Sequence, residues 1–561
     1  MIRQTLVSRL ERAVRSIAPE VGLDPSALPV PEISRPRRPE HGDWATNVAL
    51  ALAPHAGRQP RELADLLAAR IERDDVIERV EIAGPGFINL FLGPGWVADA
   101  LGEILAAGER FGRHAGPRLG RLQVELVSAN PTGPLHVGTA RNAAIGDALA
   151  NVLEASGYEV EREYYFNDAG RQMELFAESV EARYLPRFGI EAEIPEGGYQ
   201  GEYVDDLARE VAAEHADAFL RLTPGERRRR LLLEAVERTI GRIRTTLQRF
   251  GVRIDTWRTE RELLESGAVD DVVRRLREAD HAYEADGAVF FRASAFGDEK
   301  DRVLIRSNGE PTYFAKDCAY LLDKDARGFS RLVYVWGADH HGTVKRLKGA
   351  AKALGVSAGV EVVLYQLVAF SRGGQPVRMS KRTGEMISLD ELLDEVGPDA
   401  ARYTLLTRSS DSPVEFDIEV VTRQTLDNPV FYVQYAHARI ASILRRAVAQ
   451  GVILEPWNQA GLGRLRAPTE VELVRTLAEL PDVLESAAAA MAPHRLTHFA
   501  EQVAAAFHRF YTECRVLSDD ASLTQARLWL CTASRLVLGI TLGLIGVGAP
   551  ESMARIGDDD G

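Results

Sequence analysis

Hydrophobic periodicity changes twice along the chain and divides it into three parts. In the first, up to about residue 110, positions 6–17 carry apolar residues at helical spacing, and 45–71 hold two further helical stretches broken at Pro54 and Pro60. Two short apolar runs, 80–83 and 87–92, are split by Gly84-Pro85-Gly86, the form of a hairpin. A small α+β unit is predicted, followed by a polar, glycine-rich linker at 108–121. From 122 the pattern becomes strand and helix in alternation, with strand-like runs at 122–127, 160–166, 332–336 and 360–367. That alternation predicts a parallel α/β sheet. It lapses between about 186 and 305 into charged helical stretches, including Glu226-Arg-Arg-Arg-Arg230, and a strand-like 288–292, which reads as an insertion. Beyond about 390 only helical runs of comparable strength follow, at 400–407, 429–450, 470–491, 496–517 and 523–545, predicting an α-helical bundle. The domains expected are 1–110, 118–410 with its insertion, and 411–561.

Composition narrows the class. At 561 residues the chain exceeds the size of a single hydrophobic core. Its 45% hydrophobic and 27% charged residues are those of a soluble globular protein. With 68 basic against 82 acidic residues the net charge is −14, so a nucleic-acid partner must be held by local patches. Cys318, Cys514 and Cys531 are too far apart for a CxxC pair, which argues against a zinc knuckle or disulfide framework and fits the reducing cytoplasm. Residues 1–20 mix acids with apolar residues, unlike a secretory signal. The apolar run 536–547 is too short and glycine-rich to span a bilayer and reads as a buried helix. Lysine occurs seven times, all between Lys300 and Lys381, in a chain otherwise using arginine. A GC-rich genome explains the total but not the clustering, which points to a need for a compact, flexible ammonium somewhere in this segment, Lys381 being the candidate.

Two segments carry phosphate chemistry. Ser128-Ala-Asn-Pro-Thr-Gly-Pro-Leu-His-Val-Gly-Thr-Ala-Arg-Asn142 follows an apolar run and enters a helical pattern. A loop at a helix N-terminus, with His136 as a donor and Gly138 allowing close approach, suits a phosphate. Transfer of a nucleotidyl group develops charge on phosphorus that such donors stabilise. Arg378-Met-Ser-Lys-Arg382 lies about 240 residues on, beside Gly373, Gly374 and Gly384, and supplies a lysine on a mobile loop. Taken singly, His136 reads as a loop histidine and Lys381 as a solvated lysine. Their order and the α/β pattern between them favour a joint role.

These segments resemble the HIGH and KMSKS motifs of class I aminoacyl-tRNA synthetases, and the chain resembles the arginyl-tRNA synthetases over nearly its whole length. The resemblance is carried by His41-Gly-Asp-Trp-Ala-Thr-Asn47, Gly84-Pro-Gly-Phe-Ile-Asn-Leu90, Tyr164-Tyr-Phe-Asn-Asp-Ala-Gly-Arg-Gln172, Gly201-Glu-Tyr203, Gly309-Glu-Pro-Thr-Tyr-Phe-Ala-Lys-Asp317, Gly337-Ala-Asp-His-His-Gly342 and Asn428-Pro-Val-Phe-Tyr-Val-Gln-Tyr-Ala-His-Ala-Arg439. It implies a small N-terminal additional tRNA-binding domain, a Rossmann-like catalytic domain with an inserted subdomain, and an all-α anticodon-binding bundle. It further implies an arginine–tRNA ligase that forms arginyl-AMP and esterifies the 2′-OH of the terminal adenosine, activating arginine only with tRNA bound. Its substrates are L-arginine, ATP with Mg2+ and tRNA(Arg), with no tightly bound metal or organic cofactor; a cytoplasmic monomer without membrane attachment is expected.

Carried over by position, Ala129, Asn130, Pro131, Thr132, Gly133, Pro134, Leu135, His136, Val137, Gly138 and Thr139 form the HIGH region. Catalysis falls to His136, Gly138, Thr139 and Lys381, and ATP binding to Thr132, His136, Gly138, Asn142, Met379, Ser380 and Lys381. The arginine pocket takes Glu125, Ser128, Asn130, Tyr313, Asp317 and His340. Asp317 also makes independent sense, since a guanidinium needs a carboxylate, and Tyr313 and Asp317 share one face if their stretch is helical. Phe431, Tyr435 and Arg439 suit stacking on unpaired bases, although aromatic residues at helical spacing also serve as core. The arginine run at 227–230 reads as a solvated face. Three positions depart from the family pattern: Thr139 stands where His is frequent, Arg378 and Arg382 replace the outer residues of KMSKS, and His340 stands where some relatives carry Gln. Two alternatives stay open at this point. One is a synthetase for another amino acid, although the zinc ligands of the cysteinyl enzymes are missing. The other is a catalytically dead, RNA-binding paralogue.

Overall fold

The computed structural model describes residues 2–24, 28–36, 38–93, 95–377 and 387–553. At the N-terminus the helices Ile2–Ile17, Val48–Ala56 and Pro60–Arg70 cover an antiparallel sheet ordered Ile33–Ser34, Trp44–Thr46, Phe87–Leu92, Ile77–Ala83. Leu6, Leu10, Leu52, Leu63, Ile88 and Leu90 form a core of its own. Pro54 does not break its helix, because it falls in the last turn, which Gly57 ends in the left-handed conformation. A helix not expected from the sequence, Gly95–Ala107, follows. Its Trp96, Val97, Leu101 and Ile104 join the main core, so by packing the N-terminal unit ends near Leu92 and not near 110.

Five parallel strands form the central sheet in the order Gly359–Tyr365, Arg331–Gly337, Arg121–Glu125, Glu159–Phe166, Thr256–Thr259. The order reverses direction between Arg121–Glu125 and Arg331–Gly337, and a crevice for a ligand opens at the carboxyl ends of such strands. Four of these strands are the expected apolar runs. The fifth corrects the reading of 186–305 as an insertion, since Thr256–Thr259 lies within it and closes one edge of the sheet. Its sequence, Thr-Trp-Arg-Thr, half-buried throughout, contains no apolar run to betray it. Before it, the helices Arg171–Tyr184, Glu202–His215 and Pro224–Arg249 pack around Phe176, Val180, Leu207 and Leu231. After it comes a small antiparallel sheet, Arg302–Ile305, Ala288–Phe291, Ala282–Ala285, backed by the helix Tyr313–Ala326.

Beyond 390 the expectation of helices alone also needs correction. Val414–Asp417 pairs in parallel with Val368–Arg372, carrying the strand-bearing part past residue 411. The bundle that follows comprises Pro429–Ala449, Pro468–Leu477, Leu480–Ala489, His494–Glu513 and Ala521–Leu544. The helix expected over 470–491 is two helices, because Pro481 has no N–H for the carbonyl of Leu477 and its ring crowds that turn. Ala521–Leu544 is long and apolar enough to cross a membrane by length and composition alone. In this fold its Leu530, Val537, Leu538 and Leu542 are fully buried in the bundle core.

Candidate active site

The central strand ends at Glu125, and the chain turns through Val127 and Ser128, both in the left-handed region at φ 66° and 46°. A β-branched residue there is strained, so the surroundings must hold it. Asn142 does much of that holding. Its Oδ1 accepts from the Val127 N–H at 2.6 Å, and its Nδ2 donates to the Val335 carbonyl at 2.7 Å, tying the loop to the neighbouring strand. Asn142 is buried, and both ends of its amide are engaged in this strut, which corrects its expected place among ATP ligands. The Ser128 Oγ accepts from the Tyr165 N–H at 3.2 Å, and the Tyr164 hydroxyl donates to the Ala129 carbonyl at 2.8 Å. Asn130 is exposed, with its Nδ2 donating to Gln172 at 2.7 Å.

The loop enters the helix Val137–Ala155 with His136 as its cap. The His136 Nδ1 accepts from the Gly138 N–H at 2.9 Å, and the Thr139 hydroxyl donates to the His136 carbonyl at 2.6 Å. The Gly138 amide, expected to be open to a phosphate, is therefore occupied by the imidazole. Residues far downstream return to this corner. Val137 N–H donates to the Ile387 carbonyl at 3.2 Å, and Leu389 N–H donates to the Leu135 carbonyl at 2.7 Å, bridging His136 to Ser388. Arg141, wholly buried, donates to the carbonyls of Gln366 and Ser409 at 2.7 and 2.9 Å. Arg378, Met379, Ser380, Lys381 and Arg382 lie outside the described residues. The residue resuming the chain after them, Ile387, is bonded to the His136 segment.

A second cluster surrounds the same strand end. Glu125 accepts from the Lys324 ammonium at 2.6 Å; Lys324 is fully buried and lies 4.3 and 4.0 Å from the ring centres of Tyr320 and Tyr334. Glu260 opens the helix Glu260–Glu265 and accepts from Lys316 Nζ at 2.6 Å and from the Tyr165 hydroxyl at 3.4 Å. Tyr165 stacks on Tyr320 at 4.2 Å. Tyr313 and Asp317 do fall on one helix, Tyr313–Ala326, with Tyr313 68% exposed. Asp317 is open to solvent yet deep within surrounding protein, the position of a group lining a recess. That burial, with the carboxylates of Glu125 and Glu260 nearby, pushes its carboxyl up to about 7 against the opposing pull of Arg346 and Lys316. Among the described residues it has no hydrogen-bond or ion-pair partner. A carboxylate without an ion-pair partner, near Tyr165 and Tyr334, suits a planar cation with several donors. His340 stands apart from these contacts, exposed at the end of the neighbouring strand and 3.7 Å from Asp339.

Sequence reasoning missed Glu260, Tyr165, Lys316 and Lys324. Two signals were available: Tyr165 lies in the segment Tyr164–Gln172, and the lysine cluster contains Lys316 and Lys324 as well as Lys381. Glu260 has no sequence signal.

Comparisons with known proteins fit this geometry. Residues 2–92 match the arginyl tRNA synthetase N terminal domain, 100–421 the class I (R) tRNA synthetase catalytic domain, and 433–553 the DALR anticodon binding domain. The chain is 48% identical over 552 residues to the arginine–tRNA ligase of Carboxydothermus hydrogenoformans, covering 98% of this chain and 99% of that one. The chain belongs to the arginyl-tRNA synthetase family. A second relative, the arginine–tRNA ligase of Moorella thermoacetica, is 48% identical over 543 residues, 96% of this chain and 97% of its own. Among solved structures, a putative arginyl-tRNA synthetase from Campylobacter jejuni superposes with a TM-score of 0.75 at 32% identity, covering 82% of this chain and all of that one. The Thermus thermophilus arginyl-tRNA synthetase shares the fold at a TM-score of 0.75 and 23% identity, over 99% of this chain and all of that one.

Within the helical part matched to the family's anticodon domain, the three expected RNA contacts separate. Phe431 is buried and stacks on Tyr435 at 5.8 Å, which makes it core and corrects its expected role. Tyr435 and Arg439 remain half-exposed, with the guanidinium donating to the Tyr435 hydroxyl at 2.7 Å and lying 5.2 Å from the Tyr511 ring centre. In the run 227–230, Arg227 and Arg228 pair with Glu181 and Glu178 of a neighbouring helix.

Proposed function

We propose that the chain is an arginine–tRNA ligase whose recess selects the guanidinium and whose His136 corner handles the phosphates. L-arginine and ATP with Mg2+ form arginyl-AMP with release of pyrophosphate, and the arginyl group passes to the 2′-OH of the terminal adenosine of tRNA(Arg). Asp317 and Tyr313 take the guanidinium with Glu125 behind them, while Ser128 and Asn130 hold the rest of the amino acid at the loop and His340 lies at the rim. When ATP enters, His136 exchanges its bond to the Gly138 amide for the phosphates, with Thr132 beside it. Met379, Ser380 and Lys381 contact the triphosphate of ATP. Thr139 shapes the turn through its bond to the His136 carbonyl. Tyr435 and Arg439 meet unpaired bases of the tRNA, and the enzyme works as a cytoplasmic monomer.

The observation that carries this reading is Asp317, a carboxylate with no hydrogen-bond or ion-pair partner among the described residues, set near Glu125 at the strand end whose loop leads into the helix capped by His136. The family match adds a strict test. In an aminoacylation panel with labelled amino acids, only arginine should be charged, and ATP–pyrophosphate exchange with arginine should appear only when tRNA is added. Charging of a different amino acid, or equal exchange without tRNA, would overturn the assignment.

A further inference from the structure

The site does not use up the lysine cluster. Lys316 and Lys324 pair with Glu260 and Glu125, whereas Lys345, Lys348 and Lys352 all fall on the helix His341–Ala353. With 3.6 residues per turn the three lie within about 60° of arc and span about 10 Å of its length, a single stripe. All three are exposed, while Leu347, Ala350 and Ala351 turn the opposite face into the protein. The helix contains no acidic residue. Among the described residues the one acid paired with it is Asp298, which holds Arg346 at 3.4 Å and Arg302 at 2.7 Å and leaves the three lysines without an ion pair. An ordinary solvated helix face gains from charges of alternating sign. Here Lys348 and Lys352 repel each other at i, i+4, and only Lys352, in the last turn, gains from the helix dipole. The stripe weakens the helix that bears it, which calls for an anionic partner.

We propose that Lys345, Lys348 and Lys352 carry the phosphate backbone of the acceptor arm of the tRNA, the stem that leads to the terminal adenosine. This rests on the reading of the chain as an arginine–tRNA ligase. The helix His341–Ala353 starts directly after the strand Arg331–Gly337 and the turn Ala338–His340, at the carboxyl end of the sheet where the crevice opens. From there it runs back along the sheet, so Lys345 lies nearest the crevice and Lys352 farthest from it. The terminal adenosine has to enter that crevice, and the stem behind it crosses the outer surface close to the rim. A protein of net charge −14 holds RNA only through a local basic patch, and this stripe is one. Elsewhere exposed cations of the chain are arginines tied to carboxylates, such as Arg58 to Glu62 and Arg274 to Glu278. An ammonium is a point charge on a flexible stem and takes a phosphate without fixed geometry, so the stripe positions the arm and reads none of its sequence.

The test is the salt dependence of RNA binding by the full-length enzyme. Lys345→Gln, Lys348→Gln and Lys352→Gln are made singly and together, and the combined Lys345→Arg, Lys348→Arg and Lys352→Arg variant keeps the charge. Glutamine forms helix about as well as lysine and the positions are exposed, so thermal unfolding stays at the wild-type temperature. Kd is measured over a series of KCl concentrations for tRNA(Arg), for a minihelix of its acceptor stem and for its anticodon stem-loop. The triple glutamine variant should bind tRNA(Arg) and the minihelix about tenfold or more weakly, with the slope of log Kd against log salt reduced by about 2 to 3. It should bind the anticodon stem-loop as the wild type does, raise KM for tRNA without raising KM for arginine or ATP, and be rescued by the arginine variant. If the triple variant unfolds early, the single variants decide, each lowering the slope by about 1. An unchanged affinity and slope for the minihelix, or an equal loss for the minihelix and the anticodon stem-loop, overturns the proposal. Failure of the underlying reading is seen separately, as wild-type enzyme that does not charge tRNA(Arg) with arginine.

Discussion

The two sides of the proposed site, nucleotide and amino acid, are built in opposite ways. The nucleotide side is mostly backbone: a strained turn at Val127 and Ser128, a capped helix start at His136, and a two-residue bridge to Ile387 and Leu389. The amino-acid side is made of side chains drawn from four separate places, Glu125, Tyr165, Glu260 and the helix Tyr313–Ala326. A backbone device needs glycine, proline and a capping residue at fixed spacing, so it marks the sequence as a continuous signature. A side-chain recess needs only carboxylates that meet in space. The proposed nucleotide side therefore shows in the sequence as a continuous motif, while the proposed amino-acid side leaves little local trace.

Substitutions on the two sides should separate in the same way, and the largest effect belongs to the recess. Asp317→Asn removes the charge opposite the guanidinium and should lower kcat/KM for arginine by about 10^3-fold, with KM for ATP nearly unchanged. A parallel rise in KM for ATP would erase the division between the sides. Lys381→Ala should lower the rate of activation by about 10^2-fold, with little change in KM for arginine, measured by exchange in the presence of tRNA. Asn142→Ala sharpens the comparison on the scaffold, because it strips partners from the Val127 N–H and the Val335 carbonyl. It should cost about 1–3 kcal/mol of unfolding free energy in denaturant melts. An Asn142→Ala enzyme of full stability but weakened ATP binding would instead return Asn142 to the ligand set. Thr139→Ala should be the mildest, about 1 kcal/mol through the bond to the His136 carbonyl, read as a several-fold loss in kcat.

Much of the fold was legible because its strands are apolar and continuous. Four of the five central strands and the N-terminal hairpin could be read from hydrophobic runs, whereas Thr256–Thr259 could not, because an edge strand that is half-buried needs no such run. The helix Gly95–Ala107, between the expected hairpin and the expected linker at 108–121, was not read, although its Trp96, Val97, Leu101 and Ile104 follow helical spacing. On the site, His136 and Gly138 follow from a local pattern, and the same pattern does not reveal that they bond to each other. Tyr313 and Asp317 follow from spacing only once the substrate is suspected. Glu260 follows from nothing local, and Lys316 and Lys324 show in the sequence only as members of the lysine cluster, since they are partners of carboxylates. Phe431 shows the reverse error, an aromatic residue at the right spacing for RNA but turned into the core.

The central claim is that Asp317, with no ion-pair partner among the described residues, is the carboxylate that takes the guanidinium of the substrate. With its carboxyl pushed up to about 7 by burial and the neighbouring carboxylates, it is mostly protonated at pH 6, and arginine, which favours the charged form, must expel that proton on binding. Calorimetric titration of L-arginine into the tRNA-bound enzyme, repeated in buffers of different ionisation enthalpy, counts the protons directly. Release of about one proton at pH 6, almost none at pH 8, and none at either pH in Asp317→Asn is the predicted result. Arginine binding at pH 6 without proton release, or with the same release in Asp317→Asn, would contradict it.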